Sequence, residues 1–287
     1  GGSSVADAAC VRRVAEIVRN AGAQSPVVVL SAMGKTTDAL FAAAQAAERG
    51  ETEAALKALR EIVAKHKKAC SELWEGEPPV DLQQFIDALA TQIDMLLRGV
   101  ALLRELSARS RDAIVSFGEL LSSQIVAAYL HAHGVPTAWL DVRRVMRTDG
   151  RFGGAEPQTG DIATLARTEL LPLISGGQVV VTQGYIGSTK DGITTTLGRG
   201  GSDYSASLLG AAIGAAEVQI WTDVEGILTA DPRMVPEATP ILELSFREAA
   251  ELAAFGAKVL HPATIQPAVD ANIPVTVRHT MRPDGRF

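Results

Sequence analysis

The stretch Thr194-Thr195-Thr196-Leu197-Gly198-Arg199-Gly200-Gly201-Ser202-Asp203 concentrates residue types that grip an anion. Three glycines in four positions leave little side-chain bulk, so backbone N–H groups can approach a ligand closely. Ser202 or Asp203 can cap the helix predicted from Tyr204 to Ile213, and a helix N-terminus favours phosphate or carboxylate. Arg199 adds a planar fork able to clamp a carboxylate through two hydrogen bonds. A Gly-rich turn capped by serine is the plainer alternative.

Other segments carry weaker signals of the same kind. Gly1-Gly2-Ser3-Ser4-Val5 runs straight into a helical pattern, as either a phosphate cradle or an ordinary cap. Ser31-Ala32-Met33-Gly34-Lys35-Thr36-Thr37 follows an apolar run and places hydroxyls and amides at a strand end. Its Gly-Lys-Thr is not a Walker A loop, because the required spacing puts Val29 where glycine is needed. Glu119 opens an apolar helix, either as a dipole partner or as a substrate ligand. Thr222 and Asp223 end another apolar run, where an acid can accept a ribose hydroxyl. Arg233 sits in a turn and can meet a phosphate, and Lys258 either neutralises a phosphate or snorkels.

The elements that must position these groups alternate in type, which predicts an α/β fold. Val27–Leu30, Gln178–Thr182, Val218–Trp221 and Pro274–Val277 read as strands buried on both faces. Val5, Ala8, Ala9, Val14, Ile17 and Val18 keep a helical period. From Thr36 to about Arg109 the pattern is mostly helical, broken at Gly76-Glu77-Pro78-Pro79, and reads as an excursion from the sheet. A shift near residue 175 predicts two lobes of one continuous sheet. The 287 residues can bury a large core, and a net charge of -6 gives no electrostatic case for nucleic acid. The two cysteines, Cys10 and Cys70, suggest neither a disulfide framework nor a metal site, and no signal peptide or apolar run of membrane-spanning length is evident. A cytoplasmic protein is the expectation.

Taken together, the motifs resemble the amino acid kinase family and, within it, the aspartate kinases. GGSSV is similar to the end of the family's KFGG[TS]SV signature, and SAMGKTTDAL, SFGELLS, TTTLGRGGSD, WTDVEGILTADPR and FGAKVLHP follow in the family's order. The resemblance implies a three-layer α/β/α sandwich around a mainly parallel sheet of about eight strands. It implies that residues of about 1–175 hold the amino acid and those of about 176–287 the nucleotide. The reaction implied is ATP-dependent phosphorylation of the L-aspartate side chain, the first step toward lysine, threonine and methionine, with Mg²⁺ as cofactor. Glu119 would hold the substrate ammonium and Arg199 a carboxylate, with Thr37 and Ser202 as supporting donors. Gly1, Gly2 and Ser31 would lie near the transferring phosphate, and Asp203 would organise the cations, with no direct protein ligand to metal. Thr222, Asp223 and Leu228 would meet the nucleoside, and Arg233 and Lys258 the ATP phosphates. A homo-oligomer without membrane or nucleic-acid partners is implied as well. A kinase for another small carboxylate such as glutamate, or a non-catalytic ligand-binding subunit, are the competing readings.

Two departures stand out. Leu228 occupies a place where the family often has Tyr, so nucleotide packing is expected to differ. The family's lysine two positions ahead of Gly1 lies outside this sequence, as do the ACT regulatory domains that usually follow, so poor turnover and no feedback inhibition are expected. Adding Lys-Phe ahead of Gly1 is expected to raise aspartyl phosphate formation sharply, and an unchanged rate in a coupled assay would refute that lysine's role.

Overall fold

The computed structural model describes all residues except 75, 199, 224–225, 227–228, 230–234, 236, 240, 255–261 and 284–287. Its first strand, β1 (Val27–Leu30), is a run of β-branched residues entered through Ser25, which takes a left-handed conformation, and Pro26. β2 (Thr137–Trp139) and β3 (Val179–Gln183) join it as a parallel sheet in the order β1-β3-β2, with Val27 opposite Val180 and Thr137 opposite Val179. Every residue of β3 is buried, as expected for a central parallel strand covered on both faces. The hairpin β4 (Ile186–Ser188) and β5 (Thr194–Thr196) is antiparallel, and β6 (Val218–Thr222) pairs in parallel with β7 (Val275–His279).

Helices cover the sheet on both sides. Helix α1 (Ala8–Asn20) starts at Asp7, whose carboxylate accepts the Cys10 amide at 2.9 Å, and buries Val11, Val14, Ala15 and Val18 along one stripe. Helices α2 (Thr36–Glu48), α3 (Thr52–Trp74) and α4 (Val80–Leu103) fill the predicted helical excursion and pack on one another. Helices α5 (Ala108–Val115) and α6 (Phe117–Ala132) lead back to the sheet, and α6 lies against β1, β2 and β3. The segment from Ala108 to Ala132 is apolar and long enough to cross a membrane, but most of it is buried inside the protein. After α7 (Thr159–Leu165) and α8 (Leu171–Ser175) comes α9 (Gly201–Ile213), which reaches both β1 and β6. Helices α10 (Phe246–Ala254) and α11 (Pro262–Asp270) precede β7. Cys10 and Cys70 are free thiols.

The α/β class and the parallel sheet match the sequence reading; the strand arrangement differs in detail. Seven strands lie among the described residues, and these make three separate ladders rather than one continuous sheet. The physical reason lies between β1 and β6. No ladder joins them among the described residues, and a cavity of about 820 Å³ lies between Val27–Leu30 on one side and Val218–Trp221 on the other. Three strands of the sequence reading appear within a residue or two, and the first at its predicted bounds. The short β2, β4 and β5 were not among those expected.

The core is continuous from α1 through α6 to β3, with Ile125 of α6 fully buried at its centre. Ile125→Ala is expected to lower unfolding free energy by about 2–5 kcal/mol, measured by urea denaturation; a change near zero would mean that this layer is not close-packed.

Candidate active site

Glu119 lies in the first turn of α6, and a glycine brings it to the end of β1. A Cβ on Gly118 would sit 2.7 Å from the Ala32 Cβ, so only glycine lets this turn approach so closely. The Ala32 amide donates to Glu119 Oε1 at 3.2 Å, and the Thr37 hydroxyl donates to the same oxygen at 3.4 Å. Oε2 is buried and has no hydrogen-bond partner. With the residue only 3% exposed, burial pushes the carboxyl up to about 8, against the pull of its own amide, the Ala32 amide and the Thr37 hydroxyl. A buried carboxylate with one oxygen bonded and the other free is a receptor for a cationic group.

One hydrogen-bonded chain links this carboxylate to the Gly-rich turn. Ser122, one turn along α6, donates to the Ser31 carbonyl at 2.7 Å. The Ser31 hydroxyl donates to the Ser202 hydroxyl at 2.8 Å. Ser202 and Asp203 were expected to cap a helix, and here the structure differs. Helix α9 starts at Gly201, and its N-cap is Gly200 in the left-handed region at φ 73°. Ser202 and Asp203 therefore lie inside the first turn, leaving their side chains free to face neighbours rather than close the helix. The backbone crowds here: a Cβ on Gly184 would lie 2.7 Å from the Ser202 Cα, and one on Gly201 3.0 Å from the Tyr185 Cα. Tyr185 itself has φ 69°, an uncommon conformation for a large side chain, and the Ser205 hydroxyl accepts its amide at 3.0 Å.

Gly1 and Gly2 bring the start of the chain to the same place. The Gly1 nitrogen donates to the Trp221 carbonyl at 3.1 Å, and the Gly34 amide donates to the Gly2 carbonyl at 3.0 Å. Asp203 and Asp223 both lie near Gly1. Burial raises the Asp203 carboxyl. At the end of β6 the Thr222 hydroxyl donates to Asp223 at 3.2 Å, and the Thr222 carbonyl accepts the Thr280 amide at 2.8 Å. Thus Gly1, Gly2, Ser31, Thr37, Glu119, Ser202, Asp203, Thr222 and Asp223 gather at one end of the strands. Arg199, Leu228, Arg233 and Lys258 lie outside the described residues.

The sequence reading passed over Asp112, one of the most buried acids of the chain at 1% exposure. Its Oδ2 accepts the amides of Gly153 at 2.8 Å and Thr196 at 3.0 Å, and its Oδ1 accepts the Thr196 hydroxyl at 3.0 Å. It ties α5 to the end of β5, two residues before the Gly-rich turn begins. Burial raises this carboxyl, and those three donors offset the rise. The only signal in the sequence was an acid seven residues, two helical turns, before Glu119.

Glu119 also sets a pH dependence. Between its ordinary value of 4.5 and about 8, the folded chain keeps a proton that the unfolded chain releases, so this group lowers stability as pH rises through that window. Glu119→Gln is expected to flatten that fall by an amount on the order of a few kcal/mol, read from urea unfolding at about pH 5 and about pH 8.5. An unchanged slope would place the ionisation elsewhere.

Residues 1–279 match the model of the amino acid kinase family. The chain is 46% identical to lysine-sensitive aspartokinase 3 of Escherichia coli over 99% of its own length, and spans 61% of that protein. It is 40% identical to chloroplastic aspartokinase 1 of Arabidopsis thaliana and spans 49% of it. The solved structure of E. coli aspartokinase III in complex with aspartate and ADP superposes with a TM-score of 0.88, covering 99% of this chain and 61% of that one. A strand-end cluster of this composition on a matching fold, together with a family match over nearly every residue, shows that the chain belongs to the amino acid kinase family.

Proposed function

We propose that the chain transfers the γ-phosphoryl group of ATP to the side-chain carboxylate of L-aspartate, giving 4-phospho-L-aspartate and ADP. The observation that carries this reading is the unpartnered, buried Oε2 of Glu119 beside a cluster of hydroxyls and glycine amides. The likeness to an E. coli enzyme solved with aspartate and ADP supports it.

The chain's own groups divide the task. Glu119 receives the substrate ammonium, which supplies the missing partner of Oε2 and draws the carboxyl back to its charged form. Arg199 fixes a substrate carboxylate, and Thr37, Ser31 and Ser202 orient the amino acid. The reacting carboxylate is already ionised at neutral pH, so no strong general base is required. A bond forms from that oxygen to phosphorus as the bond to the ADP oxygen breaks. Catalysis therefore rests on alignment and neutralisation of charge. The N-terminus of α9, thirteen residues long, supplies positive potential from its first amides. Thr222, Asp223 and Leu228 meet the nucleoside, and Arg233 and Lys258 the phosphates.

Asp203 and Asp223 both lie near Gly1 at the strand ends, and their negative charge fits a divalent cation carried in with ATP. Mg²⁺ bound through the phosphates would add charge neutralisation there, with Asp203 orienting its shell. In this reading residues of about 1–175 hold aspartate and those of about 176–287 the nucleotide, the chain works in the cytoplasm, and it associates with copies of itself.

Hydroxylamine trapping of the acyl phosphate tests the reaction. Aspartate with Mg·ATP should give hydroxamate and glutamate should not; hydroxamate from glutamate alone would reassign the substrate. Glu119→Gln should weaken aspartate binding by about 2–4 kcal/mol in calorimetry while leaving ADP binding unmoved.

A further inference from the structure

Helix α3 belongs to the helical excursion, far in sequence from every motif above, yet one of its lysines reaches the strand-end loop. Neighbouring lysines do what surface lysines usually do: Lys67 pairs with Asp87 at 2.7 Å and Lys68 with Glu72 at 3.8 Å, both exposed. Lys65 instead donates its ammonium to the Met33 carbonyl at 2.7 Å and lies 3.5 Å from the Thr36 hydroxyl. The contact is partly desolvated, which lowers the Lys65 pKa despite the opposing charge of Asp7.

The carbonyl it meets is a junction. Met33 O also accepts the Thr36 hydroxyl at 2.6 Å and the Thr36 amide at 3.3 Å, so it starts α2. Gly34 next to it stands at φ 58°, and a Cβ there would sit 2.8 Å from the Lys65 Nζ. The turn from Ser31 to Thr37 is thus held from two sides, by the Gly2 carbonyl on the Gly34 amide and by Lys65 on the Met33 carbonyl. The residues flanking this junction, Ala32 and Thr37, are the two donors to Glu119 Oε1.

We propose that Lys65 is a positioning residue for the ammonium receptor, acting through the Met33 carbonyl to hold Ala32 and Thr37 against Glu119. The proposal deepens the aspartate reading and rests on it for its effect on affinity, but its mechanical half stands alone. It gives the helical excursion a part in the site: α3 clamps the loop that α2 extends.

Two measurements on the full chain separate these halves. Lys65→Met is expected to quicken hydrogen exchange at the Ala32 to Thr37 amides about ten-fold while leaving the β3 amides protected, since one charge-assisted hydrogen bond is lost. In calorimetry the same variant should bind aspartate about ten-fold more weakly with ADP affinity unmoved, and Lys65→Arg should restore both readouts. Should Lys65→Met fail to fold, Lys65→Gln gives the same comparison. Unchanged exchange in the loop overturns the proposal. Faster exchange with no aspartate binding by the parent chain supports the clamp and overturns the aspartate reading instead. Equal loss of aspartate and ADP binding would mark Lys65 as a general stabiliser and overturn its positioning role.

Discussion

A carboxylate that is buried and only half satisfied constrains everything around it. Glu119 has its Oε1 held by two donors and its Oε2 left open, at a cost the rest of the fold must absorb. The arrangement needs Gly118 so that α6 can touch Ala32, and it needs the Ser31–Thr37 turn to hold still. From that turn the contacts run on to Ser202, then to Asp203 and the end of β6. The Glu119 pocket and the Gly-rich turn are parts of one hydrogen-bonded structure, built where parallel strands end and their loops begin.

Charged side chains on helices also tie down loops remote from them in sequence. Asp112 draws Gly153 and Thr196 onto one side chain, so the end of β5 is anchored just before the glycines that follow. Lys65 does the same for the loop after β1. Each uses a charged group on a helix to satisfy backbone or hydroxyl groups of a loop that has little regular structure of its own. A charged group makes stronger hydrogen bonds than a neutral one, and a helix is a firmer base than a loop.

Much of this was legible in the sequence, and the pattern of what was not has physical causes. β1, β3, β6 and β7 stood out because continuous apolar runs are the mark of covered parallel strands. β4 (Ile-Gly-Ser) and β5 (three threonines) are three residues each, too short to show an apolar run, and are held by pairing with one another. The strong motif residues fell together because glycine, hydroxyl and acid at strand ends have few structural uses. Reading Ser202 or Asp203 as a cap missed that Gly200 can enter the left-handed region and start the helix three residues earlier, at Gly201. Asp112 and Lys65 were hidden because nothing local marks them. A lysine on a charged helix looks like every other lysine until tertiary packing turns it inward.

The gap between β1 and β6 has a consequence for the behaviour of this chain in solution. Each of these strands has a partner on one side only among the described residues; β1 carries three valines and a leucine, and β6 a valine and an isoleucine. Strand edges of that kind are ordinarily open to any extended segment that comes near, but here both face the cavity between them. In solution the two ladders are therefore coupled through α9, which touches both strands, rather than through a shared row of backbone hydrogen bonds among the described residues.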